Sequence, residues 1–201
     1  AAAYGGERVI AHLYLPRNAR PPYETVVLFP GSTGLHVDKF WLSEYASFLP
    51  STGRALLAPI YKSTFERRDT LRSDYPEPTA FWRDHVIAWS KDLGRSLDYL
   101  ETRPEIDRSR LAYLGVSWGG AMAPIMLAVH DRFRVAILES AGLQFQKALP
   151  EADAINFITR VKVPTLMLNG RYDHFFPEPS SQRPFLQLLG TPSKDKRLVV
   201  Y

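Results

Sequence analysis

The chain has 201 residues, of which 45% are hydrophobic and 12% aromatic, a balance that excludes a largely disordered protein and allows a substantial core. Its formal net charge of +4 comes from basic residues interleaved with acidic ones, without the basic stripe of a nucleic-acid-binding surface. The lack of cysteine excludes disulfides and thiolate metal sites, and no segment has the roughly 20 apolar residues that a membrane span needs. We therefore expect one domain over residues 1–201.

The N-terminal segment gives little information about location. Residues 1–8 have neither the basic region nor the apolar core of a signal peptide. This favours a cytoplasmic protein, and a mature form whose signal has been removed stays open as the alternative. Nothing in the chain predicts an oligomeric state.

Short apolar runs alternate with amphipathic stripes along the whole chain. The first half predicts strands at 9–15, 25–29 and 54–58 and helices at 38–49 and 81–99. The second half predicts strands at 111–114, 135–138, 165–168 and 197–201, helices at 121–129 and 180–189, and a short helix or loop at 145–157. This alternation predicts an α/β fold with a mostly parallel sheet and helices on both faces, whose active site lies beyond the carboxyl ends of the strands.

The strongest motif is Gly115-Val116-Ser117-Trp118-Gly119, which follows an apolar run and precedes a helical one. The pattern is typical of a nucleophile elbow, a sharp strand-to-helix turn that exposes a serine hydroxyl. Glycine is needed on both sides because a Cβ would collide with the turn. The backbone N–H of Trp118 would then face the same space as the Ser117 hydroxyl and could bind an oxyanion. The alternative is a structural Gly-Ser turn.

A candidate catalytic acid follows a later strand. Asp173 lies after the strand at 165–168, where a chain order of serine, acid and histidine would place the carboxylate. The alternative is an aspartate in a surface turn, since Gly170-Arg171-Tyr172-Asp173 is also turn chemistry.

Together these segments resemble the α/β-hydrolase superfamily of serine hydrolases, nearest its dienelactone-hydrolase and prolyl-oligopeptidase-like carboxylesterase branch. The resemblance covers essentially the whole chain and rests on residues 28–32, 115–120 and 164–177. It implies the α/β-hydrolase fold, and it implies that the backbone N–H groups of Ser32 and Trp118 form the oxyanion hole. Such an enzyme needs no metal and no organic cofactor.

The histidine of the triad is the main departure from the family. The family places it in the loop after the last strand, and this sequence ends in that strand at Tyr201. None of the five histidines fits the role of the base. We expect the histidine just beyond Tyr201, with the final histidine loop and last helix missing from a C-terminally truncated chain. The alternative is a hydrolase-like domain without a working triad.

The function expected from these features is cleavage of small-molecule carboxylic esters through an acyl-enzyme intermediate, with Ser117 as nucleophile and Asp173 as acid. Leu35, Tyr61, Phe145 and Phe176 follow strand ends or flank these groups and are expected to bind substrate, although each could instead belong to the core. Two other functions stay open: a prolyl-oligopeptidase-like peptidase or amidase, and a noncatalytic regulatory domain with a hydrolase fold.

Overall fold

A seven-stranded sheet organises the computed structural model, which describes the backbone of residues 2–201 and the side chains of residues 4–43 and 46–201. The strands are β1 (Ala2–Tyr4), β2 (Glu7–Arg8), β3 (Ile10–Tyr14), β4 (Tyr23–Phe29), β5 (Ala55–Ile60), β6 (Ile106–Val116), β7 (Phe133–Glu139), β8 (Thr165–Asn169) and β9 (Lys196–Val200). The sheet order is β3-β5-β4-β6-β7-β8-β9, with β3 antiparallel to β5 and all other pairs parallel. The predicted mostly parallel sheet is confirmed; the small β1–β2 pair was not predicted.

The helices are α1 (Leu42–Tyr45), α2 (Phe48–Ser51), α3 (Ala80–Glu101), α4 (Trp118–Val129) and α5 (Arg183–Leu188). The prediction of one helix over 38–49 is wrong, because the chain breaks at Ala46 with φ of −155°. A single helix that ran through both α1 and α2 would have needed Pro50 to donate an N–H to the carbonyl of residue 46, and proline has none. A π-helical turn at Glu178–Gln182 precedes α5, and three 3-10 turns lie within residues 150–160.

The core lies on both faces of the sheet because strand side chains alternate. In β4, Val27 and Phe29 join the larger cluster, which also contains the tryptophans of α3 and α4, whereas Val26 and Leu28 join the smaller cluster around Phe40. Burial on both faces explains why the central strands β4 and β5 are almost entirely apolar after Glu24. In residues 2–201, no helix combines the length and apolar character needed to cross a membrane.

A partly buried ion cluster joins the N-terminal β1–β2 pair to α3. Arg67 Nη1 lies 2.6 Å from Asp92 Oδ2, and Arg67 Nη2 lies 3.2 Å from Glu7 Oε2. The same Asp92 oxygen accepts a hydrogen bond of 2.8 Å from the Lys62 backbone N–H. Burial raises the pKa of Asp92, while the Arg67 charge lowers it in part. We call Glu7, Lys62, Arg67 and Asp92 the Arg67 cluster.

Candidate active site

Ser117 lies at the junction between β6 and α4, with φ of +50° and ψ of −109°. A positive φ is unfavourable for a residue with a Cβ and persists only where the surroundings impose it. Here the Ser117 N–H donates a 2.7 Å hydrogen bond to Glu139 O at the end of the neighbouring β7. The sharp strand-to-helix turn predicted from the motif is therefore present, and it holds Ser117 at the carboxyl edge of the sheet.

The two glycines of the motif allow backbone segments to approach each other closely. A Cβ on Gly115 would lie 2.6 Å from Gly119 O, and a Cβ on Gly119 would lie 2.7 Å from the Phe29 carbonyl carbon and closer still to its oxygen. The Gly119 N–H also donates to Pro30 O at 3.1 Å. The elbow and the loop after β4 are thus packed backbone against backbone, with no room for side chains.

We expect Gly119→Ala to lower the free energy of unfolding by about 3 kcal/mol, because backbone on both sides must move to admit the methyl group. Urea denaturation of the variant and of the unchanged protein measures the difference in the free energy of unfolding. Gly170→Ala is the matched control, since a Cβ on Gly170 would meet nothing within 4 Å. Equal stability of the two variants would contradict this view of the elbow.

Two backbone donors flank Ser117. A Cβ on Gly31 would lie 3.4 Å from the Ser117 Cβ, so the loop after β4 passes directly beside the serine. Ser32 follows Gly31 as the first residue of a 3-10 turn, and Trp118 is the first residue of α4. Within residues 2–201, neither the Ser32 nor the Trp118 N–H donates to another protein group. Free N–H groups at the start of helical turns are suited to bind an anion.

Asp173 lies in the loop after β8, where the sequence predicts a catalytic acid. Its Oδ1 accepts hydrogen bonds of 2.9 Å from the Phe175 and Phe176 N–H groups, which fix the orientation of the carboxylate. Its Oδ2 accepts no hydrogen bond from the described part of the chain. One oxygen is therefore held by the backbone and the other is available to a further donor.

A cavity of about 320 Å³ opens above Ser117. It brings together four predicted residues, Ser32, Ser117, Phe145 and Phe176. Phe175 lies in its wall beside Phe176, and five further residues of the wall were not predicted as site residues: Asp74, Tyr75, Gln144, Gln146 and His174. Gln144 Nε2 donates a 2.9 Å hydrogen bond to Asp74 O, which joins the loop before α3 to the segment after β7.

Two predicted substrate-binding residues do not line this cavity. Leu35 and Tyr61 are both 0% exposed. The Tyr61 ring stacks on Phe29 with centroids 4.2 Å apart, and its hydroxyl donates to Leu28 O at 3.3 Å. The prediction is wrong for both, because a position just after a strand does not fix the side on which a side chain packs. The Trp118 side chain is likewise buried in the core, and only its backbone N–H was predicted to act.

The comparison with protein-family models decides the family. A model described as the dienelactone hydrolase family matches residues 9–201. The chain belongs to the dienelactone hydrolase family.

Solved structures share the fold of this dienelactone hydrolase family member. A cold-adapted esterase from an Arctic intertidal metagenomic library has a TM-score of 0.71 and 21% identity over 98% of this chain and 80% of its own. An acetyl xylan esterase from a Paenibacillus species has a TM-score of 0.67 and 19% identity over 98% of this chain and 73% of its own. A candidate dipeptidyl aminopeptidase IV from Bacteroides ovatus has a TM-score of 0.75 and 16% identity, and this chain covers only 31% of it. A search of curated protein sequences gave no match. The family match and these neighbours establish the predicted α/β-hydrolase fold.

In this family member, no histidine of the described residues bonds to Ser117. His85 lies between Phe81 O at 2.7 Å and Asp69 Oδ2 at 3.0 Å, and His130 lies beside Ser90. His12 stacks between the rings of Tyr14 and Phe40. His174 lines the cavity but packs on Phe175, with ring centroids 4.4 Å apart.

The carboxyl group of Asp74 lies in the wall of the cavity above Ser117. Burial raises the pKa of this carboxyl group. A raised carboxyl pKa means that the folded protein binds the proton more tightly than the unfolded chain, so stability falls as pH rises above the ordinary value of 3.8. We expect Asp74→Asn to remove this pH-dependent loss of stability. The melting temperature of the variant minus that of the unchanged protein should increase as pH rises from about 4 to 7. A melting-temperature difference that stays constant or decreases as pH rises would contradict this expectation.

Proposed function

We propose that this chain hydrolyses carboxylic esters with Ser117 as the nucleophile. One observation carries the proposal: Ser117 is held at φ of +50° on a strand-to-helix turn, beside two free backbone N–H groups. Ser117 and Ser32 line one cavity, and the Trp118 N–H follows Ser117 directly at the start of α4. Acyl transfer needs both a hydroxyl and anion donors, because negative charge develops on the carbonyl oxygen as the nucleophile attacks.

The proposed reaction has two halves. The Ser117 Oγ attacks the ester carbonyl carbon while its proton passes to a base, and the resulting oxyanion accepts hydrogen bonds from the Ser32 and Trp118 N–H groups. Collapse of this intermediate breaks the bond to the alcohol oxygen, which takes the proton and leaves. A water molecule then attacks the acyl-serine ester by the same steps, and the carboxylic acid and free Ser117 are regenerated.

We propose that Asp173 orients the base and that the base is a histidine following Tyr201. The Tyr201 N–H donates to Asn169 O at 3.1 Å, and Arg171 N–H donates to Tyr201 O at 2.9 Å. The end of β9 is therefore fastened to the loop that carries Asp173, two residues beyond Arg171. A residue that follows Tyr201 would therefore start beside the loop of Asp173, the carboxylate that the imidazole needs as its partner.

The test compares esters with amides. The protein that carries this chain, together with whatever follows Tyr201, is assayed with p-nitrophenyl acetate and butanoate and with aminoacyl p-nitroanilides. We expect kcat/KM to be higher for the esters. Faster cleavage of the anilides would replace the proposal by a peptidase, and no turnover of either class would favour a noncatalytic domain.

A further inference from the structure

The cavity above Ser117, which we call the catalytic cavity, contains a carboxylate but no basic side chain to pair with it. Asp74 lies in its wall, and the described residues that line it include no lysine or arginine. Lys147 lines a neighbouring cavity instead. A negative charge therefore dominates the electrostatic field inside the catalytic cavity.

The Asp74 carboxylate has no oppositely charged partner among the described side chains. It forms no ion pair and accepts no hydrogen bond from another described residue. The two arginines of the same loop are directed elsewhere: Arg68 pairs with Asp38, and Arg72 donates to Leu71 O at 3.0 Å. The carboxylate is therefore available to a group that enters the cavity.

Asp74 is held in place and is partly removed from water. Gln144 Nε2 donates to its backbone oxygen at 2.9 Å, which fixes the residue against the segment after β7. Burial raises the pKa of Asp74, while its own backbone N–H and the charge of the exposed His36 lower it in part. Because the charged carboxylate has lost hydration without gaining a partner, a bound cation would stabilise it.

Aromatic rings form much of the remaining wall. Tyr75, Phe145 and Phe175 are 43%, 60% and 61% exposed, and Phe176 lies behind them as a buried ring. The face of an aromatic ring carries partial negative charge and attracts ammonium groups, including those without an N–H. A carboxylate and several exposed rings around one cavity are therefore suited to an organic cation.

We infer that the catalytic cavity selects small esters that carry an organic ammonium group, which pairs with the Asp74 carboxylate and packs against the exposed rings. The inference rests on the proposed ester hydrolysis and adds the substrate class to it. Esters that carry a carboxylate are disfavoured, because Asp74 repels a like charge. A volume of about 320 Å³ limits the substrate to a small molecule.

The first test compares esters of equal shape and different charge. Acetylcholine is paired with 3,3-dimethylbutyl acetate, and ethyl 4-(trimethylammonio)butanoate with ethyl 5,5-dimethylhexanoate, so that carbon replaces the charged nitrogen in the alcohol or in the acyl part. We expect kcat/KM to be about tenfold higher for the cation in at least one pair. Monoethyl glutarate, which is an anion, should be cleaved more slowly than the uncharged ethyl ester. Release of acid is followed at about pH 8, above the range in which histidine ordinarily titrates.

Asp74→Asn should lower the ratio of kcat/KM for the cationic ester to that for its uncharged analogue by roughly fivefold. Asp131→Asn is the matched control, because it removes the same charge from an exposed position that does not line the cavity. Asp131 lies beyond the end of α4 that is distant from Ser117, and the 12 residues of this helix span about 18 Å. We expect this variant to keep the ratio of the unchanged protein.

The second test measures binding alone. Ser117→Ala protein is titrated by calorimetry with the two esters of each pair, which it should not turn over. We expect the cationic ester of the preferred pair to bind more tightly. Adding Asp74→Asn should reduce this advantage by roughly fivefold, and adding Tyr75→Leu by roughly threefold, whereas Tyr75→Phe keeps the ring and should preserve it.

The outcomes separate the substrate class from the proposed function. Hydrolysis of the uncharged esters with no preference for the cation in either pair would overturn the inference and leave the proposed function standing. A preference that survives both Asp74→Asn and Tyr75→Leu would overturn the inference as well. Cationic esters that bind to Ser117→Ala protein as expected, while the unchanged protein hydrolyses no ester, would overturn the proposed function instead.

Discussion

Replacing Ser117 by alanine should lower kcat/KM for ester hydrolysis by at least about a thousandfold, since a triad acts as a unit and loss of its nucleophile removes most of the rate enhancement. The residual rate would come from the oxyanion donors of Ser32 and Trp118, which the substitution does not touch. The measurement is steady-state hydrolysis of p-nitrophenyl acetate by the two proteins, with matching melting temperatures as evidence that both are folded.

Ser140→Ala is the matched control for Ser117→Ala. Ser140 directly follows β7, the strand beside β6, and has φ of +49°, so it shares the positive φ of Ser117. It does not line the catalytic cavity. We expect this variant to keep most of its activity. If Ser117→Ala retained activity within tenfold of the unchanged protein, the nucleophile would have to be sought elsewhere.

The second large effect should come from the Arg67 cluster. Asp92→Ala should lower the free energy of unfolding by about 3 kcal/mol, because it removes the buried carboxylate of Arg67 and leaves the buried guanidinium only the exposed carboxylate of Glu7. The side chains of Arg67 and Asp92 are 8% and 0% exposed. The Lys62 N–H also loses its acceptor. Urea denaturation followed by circular dichroism gives the difference.

Asp98→Ala tests whether burial of the ion pair causes the large loss of stability expected for Asp92→Ala. Asp98 lies on the same helix, 47% exposed, and pairs with Arg95 at 3.1 Å and Arg132 at 2.8 Å. Exposed pairs contribute at most about 1 kcal/mol. We expect this variant to be nearly as stable as the unchanged protein. A loss comparable to that of Asp92→Ala would show that burial does not set the energy of these ion pairs.

The central strands of the sheet could be predicted from the sequence because burial on both faces makes them apolar runs, whereas the partly exposed edge strand β3 was found from its alternation. The helices of the larger core cluster, α3 and α4, were also clear, since their apolar residues repeat with helical spacing or fill the whole segment. The helix expected over 38–49 was wrong because the apolar spacing gave no sign of the break at Ala46. The β1–β2 pair could not be found, since its anchor is an ion cluster between residues far apart in the chain.

The candidate site was only partly predictable, because some of its residues are brought together by the fold and not by a local pattern. Ser117, Ser32 and Asp173 lie at fixed places relative to strands, so chain order and motif locate them. Asp74 and Tyr75 lie in an irregular loop without periodicity, and only the fold brings that loop over the cavity. Leu35 and Tyr61 were predicted to line the cavity and instead belong to the core. The sequence could not distinguish the two places because apolar side chains occur in both.

The central claim is that Ser117 is an activated nucleophile, and covalent labelling tests it most directly. The protein that carries this chain is treated with a fluorophosphonate, digested and examined by mass spectrometry. We predict a single phosphonyl adduct on the peptide that contains Ser117, absent from Ser117→Ala and retained in Ser140→Ala. An adduct on another residue, or an unmodified Ser117 in folded protein, would contradict the claim.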